Sequence, residues 1–210
     1  MAISYVSSAV SVQNTSATTI TATVPSVTNG DLMLMIVGSG NTTSNTWSTP
    51  SGWTVGTAGV QSRALFWRIA SSEPASYTVT QSASATSNAV IIAYRDATFD
   101  TSGLASQSQV TSPTPIAITV AAADSTIVYV AQSNPGASVT YTTPTGYTAR
   151  ASDSDGTAPS CALFDLAGVG SGSYSAPSTT GSSSSSRAYV ISLSPTAVVN
   201  TSNFFFMMGM

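Results

Sequence analysis

The chain has no histidine and no lysine, a single cysteine, and charged side chains at only 6% of its 210 positions. Each shortage closes off a chemistry. Without histidine there is no Ser-His-Asp or Cys-His arrangement, and the usual general base near neutral pH is missing. Cys161 alone can form no internal disulfide and supplies too few soft ligands for a zinc site, so it reads as a small core residue beside Ala162 and Leu163. The five cations are all arginine (Arg63, Arg68, Arg95, Arg150 and Arg187), scattered singly in a chain of net charge −3. Nucleic-acid binding depends on clustered cations facing phosphates, so no such partner is expected. No run reaches the roughly 18 apolar residues of a membrane span, and no membrane partner is expected either. The start, Met1 to Tyr5, lacks the basic region of a secretory leader. The expectation is a protein made in a cytoplasm without a signal peptide.

What fills the chain instead is hydroxyl: 39 serines and 31 threonines, a third of all residues. Such a surface is wetted by Ser and Thr rather than by charge. Short β-branched and apolar runs, among them Thr19–Val24, Leu32–Val37, Ala64–Ile69, Tyr77–Thr80 and Val90–Tyr94, are bounded by Gly, Pro, Asn and Ser. That is strand punctuation, and no window carries a helical apolar stripe. The fold class expected is all-β, an antiparallel β-sandwich of jelly-roll-like kind.

Repetition is the strongest signal. Thr49-Pro50-Ser51-Gly52-Trp53-Thr54 returns as Thr143-Pro144-Thr145-Gly146-Tyr147-Thr148. Four further blocks keep the same order: Asp31–Val37 with Asp124–Val130, Ala64–Phe66 with Ala162–Phe164, Ala75–Tyr77 with Gly172–Tyr174, and Ser87–Ile92 with Ser186–Ile191. Two pseudo-repeats, about 15–96 and about 112–194, are expected within a sandwich unit spanning 1–198. A single shared sandwich is preferred to two in tandem, because the connection from Asp96 to Pro113 is not linker-like. The Pro-Ser/Thr-Gly segments read as turns that send Trp53 and Tyr147 into the core. Asp31 and Asp124, each just before a strand, read as turn caps.

Little else suggests chemistry. Asp153-Ser154-Asp155-Gly156 resembles a fragment of a calcium loop but lacks its third acid and distal Glu. No metal, cofactor or catalytic residue is expected, and the chain reads as a non-enzyme. Trp47 and Trp67, which have no aromatic counterparts in the second repeat, are weak candidates for stacking on a glycan. The last twelve residues, 199–210, are the anomaly. Phe204, Phe205, Phe206, Met207, Met208 and Met210 gather half of the chain's six phenylalanines and half of its six methionines into a terminus that would normally be polar. They read as an assembly or docking tail.

The blocks Asp31-Leu32-Met33-Leu34-Met35, Pro50-Ser51-Gly52-Trp53-Thr54, Phe66-Trp67-Arg68-Ile69-Ala70-Ser71-Ser72-Glu73-Pro74-Ala75-Ser76-Tyr77 and Ala93-Tyr94-Arg95 together resemble a pattern of tailed-bacteriophage structural proteins. The resemblance spans most of residues 15–96 and is looser in the second repeat. It implies a virion part of β-sandwich or jelly-roll type, without catalytic residues. The expected function is capsid decoration (cement), with the major capsid protein, other virion proteins and further copies of the chain as partners. The alternative is a host-glycan-binding module of a tail or head fibre.

Overall fold

The computed structural model describes residues 1–40, 45–57, 62–110, 117–133, 138–154, 156–175 and 186–197, with the backbone alone for 101–110 and 186. The chain is all-β and antiparallel, as a β-sandwich requires. Its strands are β1 (Ser4–Thr23), β2 (Leu32–Ser39), β3 (Thr54–Thr57), β4 (Arg63–Ile69), β5 (Ser76–Arg95), β6 (Ala97–Val110), β7 (Ile118–Val120), β8 (Ser125–Ser133), β9 (Thr148–Asp153), β10 (Cys161–Val169), β11 (Gly172–Tyr174) and β12 (Ser186–Pro195). One sheet has the order β1-β5-β2-β4-β3 and the other β6-β12-β8-β10-β9, while β7 and β11 form a two-stranded ribbon.

Each five-stranded sheet therefore comes from one contiguous half of the chain, and the two halves use their strands in the same order. The pairing register shows which positions correspond. Met35 lies opposite Phe66 and Ile91, and Tyr129 lies opposite Phe164 and Val190. Two of the matched sequence blocks agree with this register, but the block before β8 is offset by one residue. Asp124 (φ 58°) occupies the place of Gly30 (φ 95°), and Ser125 that of Asp31. Left-handed backbone is the requirement shared at that turn, and Asp tolerates it better than most side chains. Asp31 does cap its turn, accepting from the Thr28 N–H at 2.8 Å, whereas at the corresponding turn the Ser125 hydroxyl donates to the Ala122 carbonyl at 2.7 Å.

The sheets also reach further than the matched blocks. Sheet one begins at Ser4, and the segment after Asp96, expected to be a connection, is the edge strand β6. Only Asp96, at φ 58°, separates β5 from β6.

Alternation along the strands sorts side chains onto two faces. Leu32, Leu34, Ile36, Leu65, Val90 and Ile92 of sheet one meet Val128, Val130, Leu163, Tyr189, Ile191 and Leu193 of sheet two in one shared core. The opposite faces are covered too, which is why β2 and β8 are buried along their whole length. Over sheet one, the second half of β1 and the first half of β5 fold back as a ribbon. Ile20 and Val79, paired across it, pack on Met33, Met35, Phe66 and Ile91. Over sheet two, Ile118 and Val120 of β7, with Tyr174 of β11, do the same for Tyr129 and Phe164. The two turns behave as expected. Trp53 N–H and Tyr147 N–H each donate to the proline carbonyl three residues back at 3.1 Å, with Gly52 and Gly146 at positive φ, and both aromatics pack on these outer cores.

At one end the shared core turns polar. The inward positions there are Gly38, Arg63 and Asn88 on sheet one and Gln132, Cys161 and Arg187 on sheet two, all buried apart from the glycine's missing side chain. Arg63 is fully buried. Its Nη1 donates to the Ser39 carbonyl at 2.9 Å and its Nη2 to the Ser133 carbonyl at 2.6 Å, one on each sheet. Burial, followed by the neighbouring Arg187 charge, lowers its pKa to about 10, which leaves it charged at neutral pH. Asn88 donates to the Pro159 carbonyl at 2.6 Å and accepts from Gln132 at 3.2 Å. A Cβ on Gly38 would stand 2.7 Å from Asn88 Oδ1 and 3.0 Å from Gln132 Nε2.

Two outcomes are expected in urea unfolding. Gly38→Ala should cost about 1–3 kcal/mol through overpacking, although alanine is otherwise the milder residue for a strand. Arg63→Lys keeps the charge but gives up the planar fork that spans both carbonyls, and should cost about 2–4 kcal/mol. A loss under about 0.5 kcal/mol in either variant would mean that the polar layer does not set the spacing of the sheets.

Candidate functional site

At the opposite end of sheet one, two connections run side by side: residues 24–31 between β1 and β2, and residues 70–75 between β4 and β5. Pro25 and Pro74 remove backbone donors and keep both segments out of the sheet. The segments are then bonded to each other. Val24 N–H donates to the Ala75 carbonyl (3.0 Å), Gly30 N–H to the Ala70 carbonyl (2.9 Å), Ala70 N–H to the Asp31 carbonyl (2.8 Å) and Ser72 N–H to Asn29 Oδ1 (2.8 Å). Between them lies an open groove of about 880 Å3. Its apolar lining is Val24, Pro25, Val27, Ala70, Pro74 and Ala75, and its polar rim comes from Ser26, Thr28, Asn29, Ser72 and Glu73.

The charges near the groove are already engaged. Asp31 is buried and bonded to Arg95 Nε at 2.9 Å, and the half-exposed guanidinium also donates to Thr28 Oγ1 at 2.8 Å. Burial by itself would raise the Asp31 pKa. The bonds from Arg95 and Thr28, with the guanidinium charge, outweigh it and hold the carboxyl below its ordinary value. Glu73 pairs with Arg68 at 3.0 Å, accepts from Ser71 N–H at 2.7 Å and accepts a short bond from the Tyr77 hydroxyl. Arg68 is itself held against the Trp53 and Tyr77 rings, at 5.9 and 5.5 Å. Burial first, and then the Glu73 bond and charge, push the Tyr77 phenol up to about 12. What the groove offers a ligand is shape, apolar contact and a rim of hydroxyls and amides.

None of the site residues singled out from sequence is among the described residues that line this groove. Phe204, Phe205, Phe206, Met207, Met208 and Met210 fall outside the described residues, as does Asp155 of the calcium-like fragment. Trp47 is half-buried on the outer side of sheet one, its indole N–H donating to the Ser62 carbonyl at 3.1 Å. Trp67 packs against the shared core on the inner side and stacks on Phe99, with ring centroids 5.4 Å apart. The two tryptophans sit on opposite faces of the sheet and make no common platform. Cys161 is buried, and burial, followed by the Asp153 charge, raises its thiol to about 12. The groove itself was not singled out from sequence, although Asn29-Gly30 and Glu73-Pro74, the turn signals that build its walls, are legible. No protein-family model, curated protein or solved structure matches the chain.

The lowered Asp31 pKa gives a sign to test. Its ionised form stabilises the fold above the unfolded-state value of about 3.9, and that contribution is lost as the pH falls through the lower folded-state value. Asp31→Asn should therefore be less stable than the parent at pH 7, and the gap should narrow below about pH 4. A gap unchanged from pH 7 to pH 3 in urea melts would show that the carboxylate charge contributes nothing to the groove's frame.

Proposed function

We propose that this protein is a structural, non-catalytic component of a bacteriophage particle. The role we assign is a decoration (cement) protein that binds the major capsid protein and neighbouring copies of itself and stiffens the shell. We read the matched halves as an internal duplication and keep the kinship with jelly-roll virion proteins as part of this proposal. The observation that carries it is the way polar chemistry is used. Arg68, Arg95 and Arg150 are spent on ion pairs with Glu73, Asp31 and Asp165, and Arg63 on joining the two sheets. Side chains committed in this way support a rigid block better than a reaction centre. A hydroxyl-rich, weakly charged exterior suits packing many copies close together without mutual repulsion. The apolar tail is the docking element in this reading, engaging another virion protein once the particle assembles.

A fibre module that binds host glycans is the second reading, favoured by the Ser/Thr-rich surface. The packed positions of Trp47 and Trp67 speak against a stacking platform made from that pair.

Copy number in purified particles separates the two. Decoration predicts the protein on the order of hundreds of copies, a fibre a few dozen at most, set by the symmetry of each structure. Its absence from particles would reject both. If the protein truncated after residue 197 occupies the shell as fully as the complete chain, the docking role of the tail is wrong.

A further inference from the structure

We propose that the free edge of β1 is the seam at which two copies of this chain join. Residues Ser7–Gln13 of each copy pair antiparallel about a twofold axis at Val10, so that sheet one runs on from one molecule into the other. The proposal deepens, and rests on, the reading that copies of the chain contact one another.

Three observations carry the occupant. First, the edge is a ladder half made. Among the described residues β1 pairs only with β5, and an antiparallel edge strand leaves one residue in two with its N–H and C=O turned outward. The cover stops at the same place. Ala89–Tyr94 of β5 are buried, whereas their partners from Tyr5 to Ser11 are only half-buried, including Val10, which packs on the shared core. Second, this stretch is regular and unguarded. The bulges of β1 lie on either side of Ser7–Gln13, and the seven residues between them keep one unbroken register without charge, proline or glycine. The other sheet edges carry the guards that β1 lacks: β3 is four residues long, β6 has Asp100, and β9 has Arg150 and Asp153. Third, the seam fits its own image. Antiparallel pairing about Val10 sets that residue against itself, Ala9 against Ser11 and Ser8 against Val12, so small or apolar side chains meet across the axis and no charge of β1 faces its copy. Strand β9 stands beside β1 on this flank, with the Ser8 hydroxyl donating to the Arg150 carbonyl at 2.9 Å and the Arg150 charge held by Asp165 at 2.8 Å. A flank as long as Ser4–Gln13, about 34 Å, and two sheets deep, about 20 Å, presents about 700 Å2 per copy. A stable interface takes about 800 Å2 per partner.

The test is sedimentation of the full chain at a concentration on the order of 100 μM, where a seam of this size should hold a dimer. Ala9→Lys and Ala9→Glu each set two like charges about 7–8 Å apart across the axis, within reach of each other. Each variant alone should sediment as a monomer with unchanged circular dichroism, and an equimolar mixture of the two should recover the dimer. The parent chain gives a measurement that needs no variant to fold. Amide exchange within residues 7–13 should be about tenfold slower at ~100 μM than at ~1 μM. A parent that stays monomeric, a dimer that both folded variants retain, or exchange that ignores concentration would overturn the proposal. A monomer in solution that is nonetheless abundant in particles would sink the seam and leave the virion reading standing, and a dimer absent from particles would do the reverse.

Discussion

A guanidinium buried between two sheets and bonded to a carbonyl of each sets the terms for the rest of this molecule. The apolar part of the shared core is non-directional, because Leu, Ile and Val faces can slide over one another at little cost. Arg63 cannot slide. Its two nitrogens must find Ser39 and Ser133 together, and the cost of leaving a buried charge without those acceptors is several kcal/mol. Asn88 and Gln132 add a second link across the same gap, and Gly38 leaves the room they need. Corresponding positions in the two halves carry different side chains at this level: Gly38 against Gln132, Arg63 against Cys161, Asn88 against Arg187. A layer that breaks the likeness of the halves in this way defines one way of stacking them.

Away from that layer, the same constraint is met by polar links on the flank. Tyr94 donates to Asp165 at 3.1 Å across the sheets, Arg150 holds the same carboxylate at 2.8 Å, and its guanidinium lies 4.3 Å from the Tyr5 ring centroid. Strand β1 is thereby tied to β9, where Ser8 also donates to the Arg150 carbonyl. On the other flank the corresponding contact is apolar, Phe99 on Trp67. The exposed edge strand β1 contains no charged residue, no proline and no glycine over twenty residues, the usual guards against edge pairing. Its irregular registers near Tyr5, Gln13 and Ala17 do part of that work by twisting the edge.

The strands themselves were legible because their signals are local. Alternation, the paired Pro-Ser/Thr-Gly turns, the burial of Trp53 and the half-burial of Tyr147 follow from residues within a few positions of one another. What could not be read was set by distant pairing. The Asp before β2 and the Asp before β8 invite alignment with each other, yet the strand register equates Asp124 with Gly30, because backbone conformation and not side-chain identity is shared there. Strand β6 has a Ser, Gly and Gln-rich sequence with no clean alternation, and it is a strand because β12 offers it a ladder. Nothing local distinguishes Arg63 or Arg187 from the other arginines. Their burial depends on facing positions on another sheet, contributed from about seventy residues away in the case of Ser133. The groove is of the same kind: its walls are two short connections separated by some forty residues, joined only once β2 and β4 pair.

These two ends of the molecule divide its tasks. The polar layer spends charge to fix one geometry of the sheets, and a core fixed in that way does not need a charged exterior to keep its shape. At the far end the polar link between the sheets is Tyr94 with Asp165. There the connections bond to each other, the cations Arg68 and Arg95 neutralise the acids beside the groove, and the surface left over is shaped, apolar in part and electrically quiet. Any partner held there is selected by fit, since hydroxyls and amides at the rim reward close contact but exert no pull at a distance. A partner held by fit alone would be sensitive to small changes of shape, so the rigidity imposed at the polar end would bear on any recognition at the other.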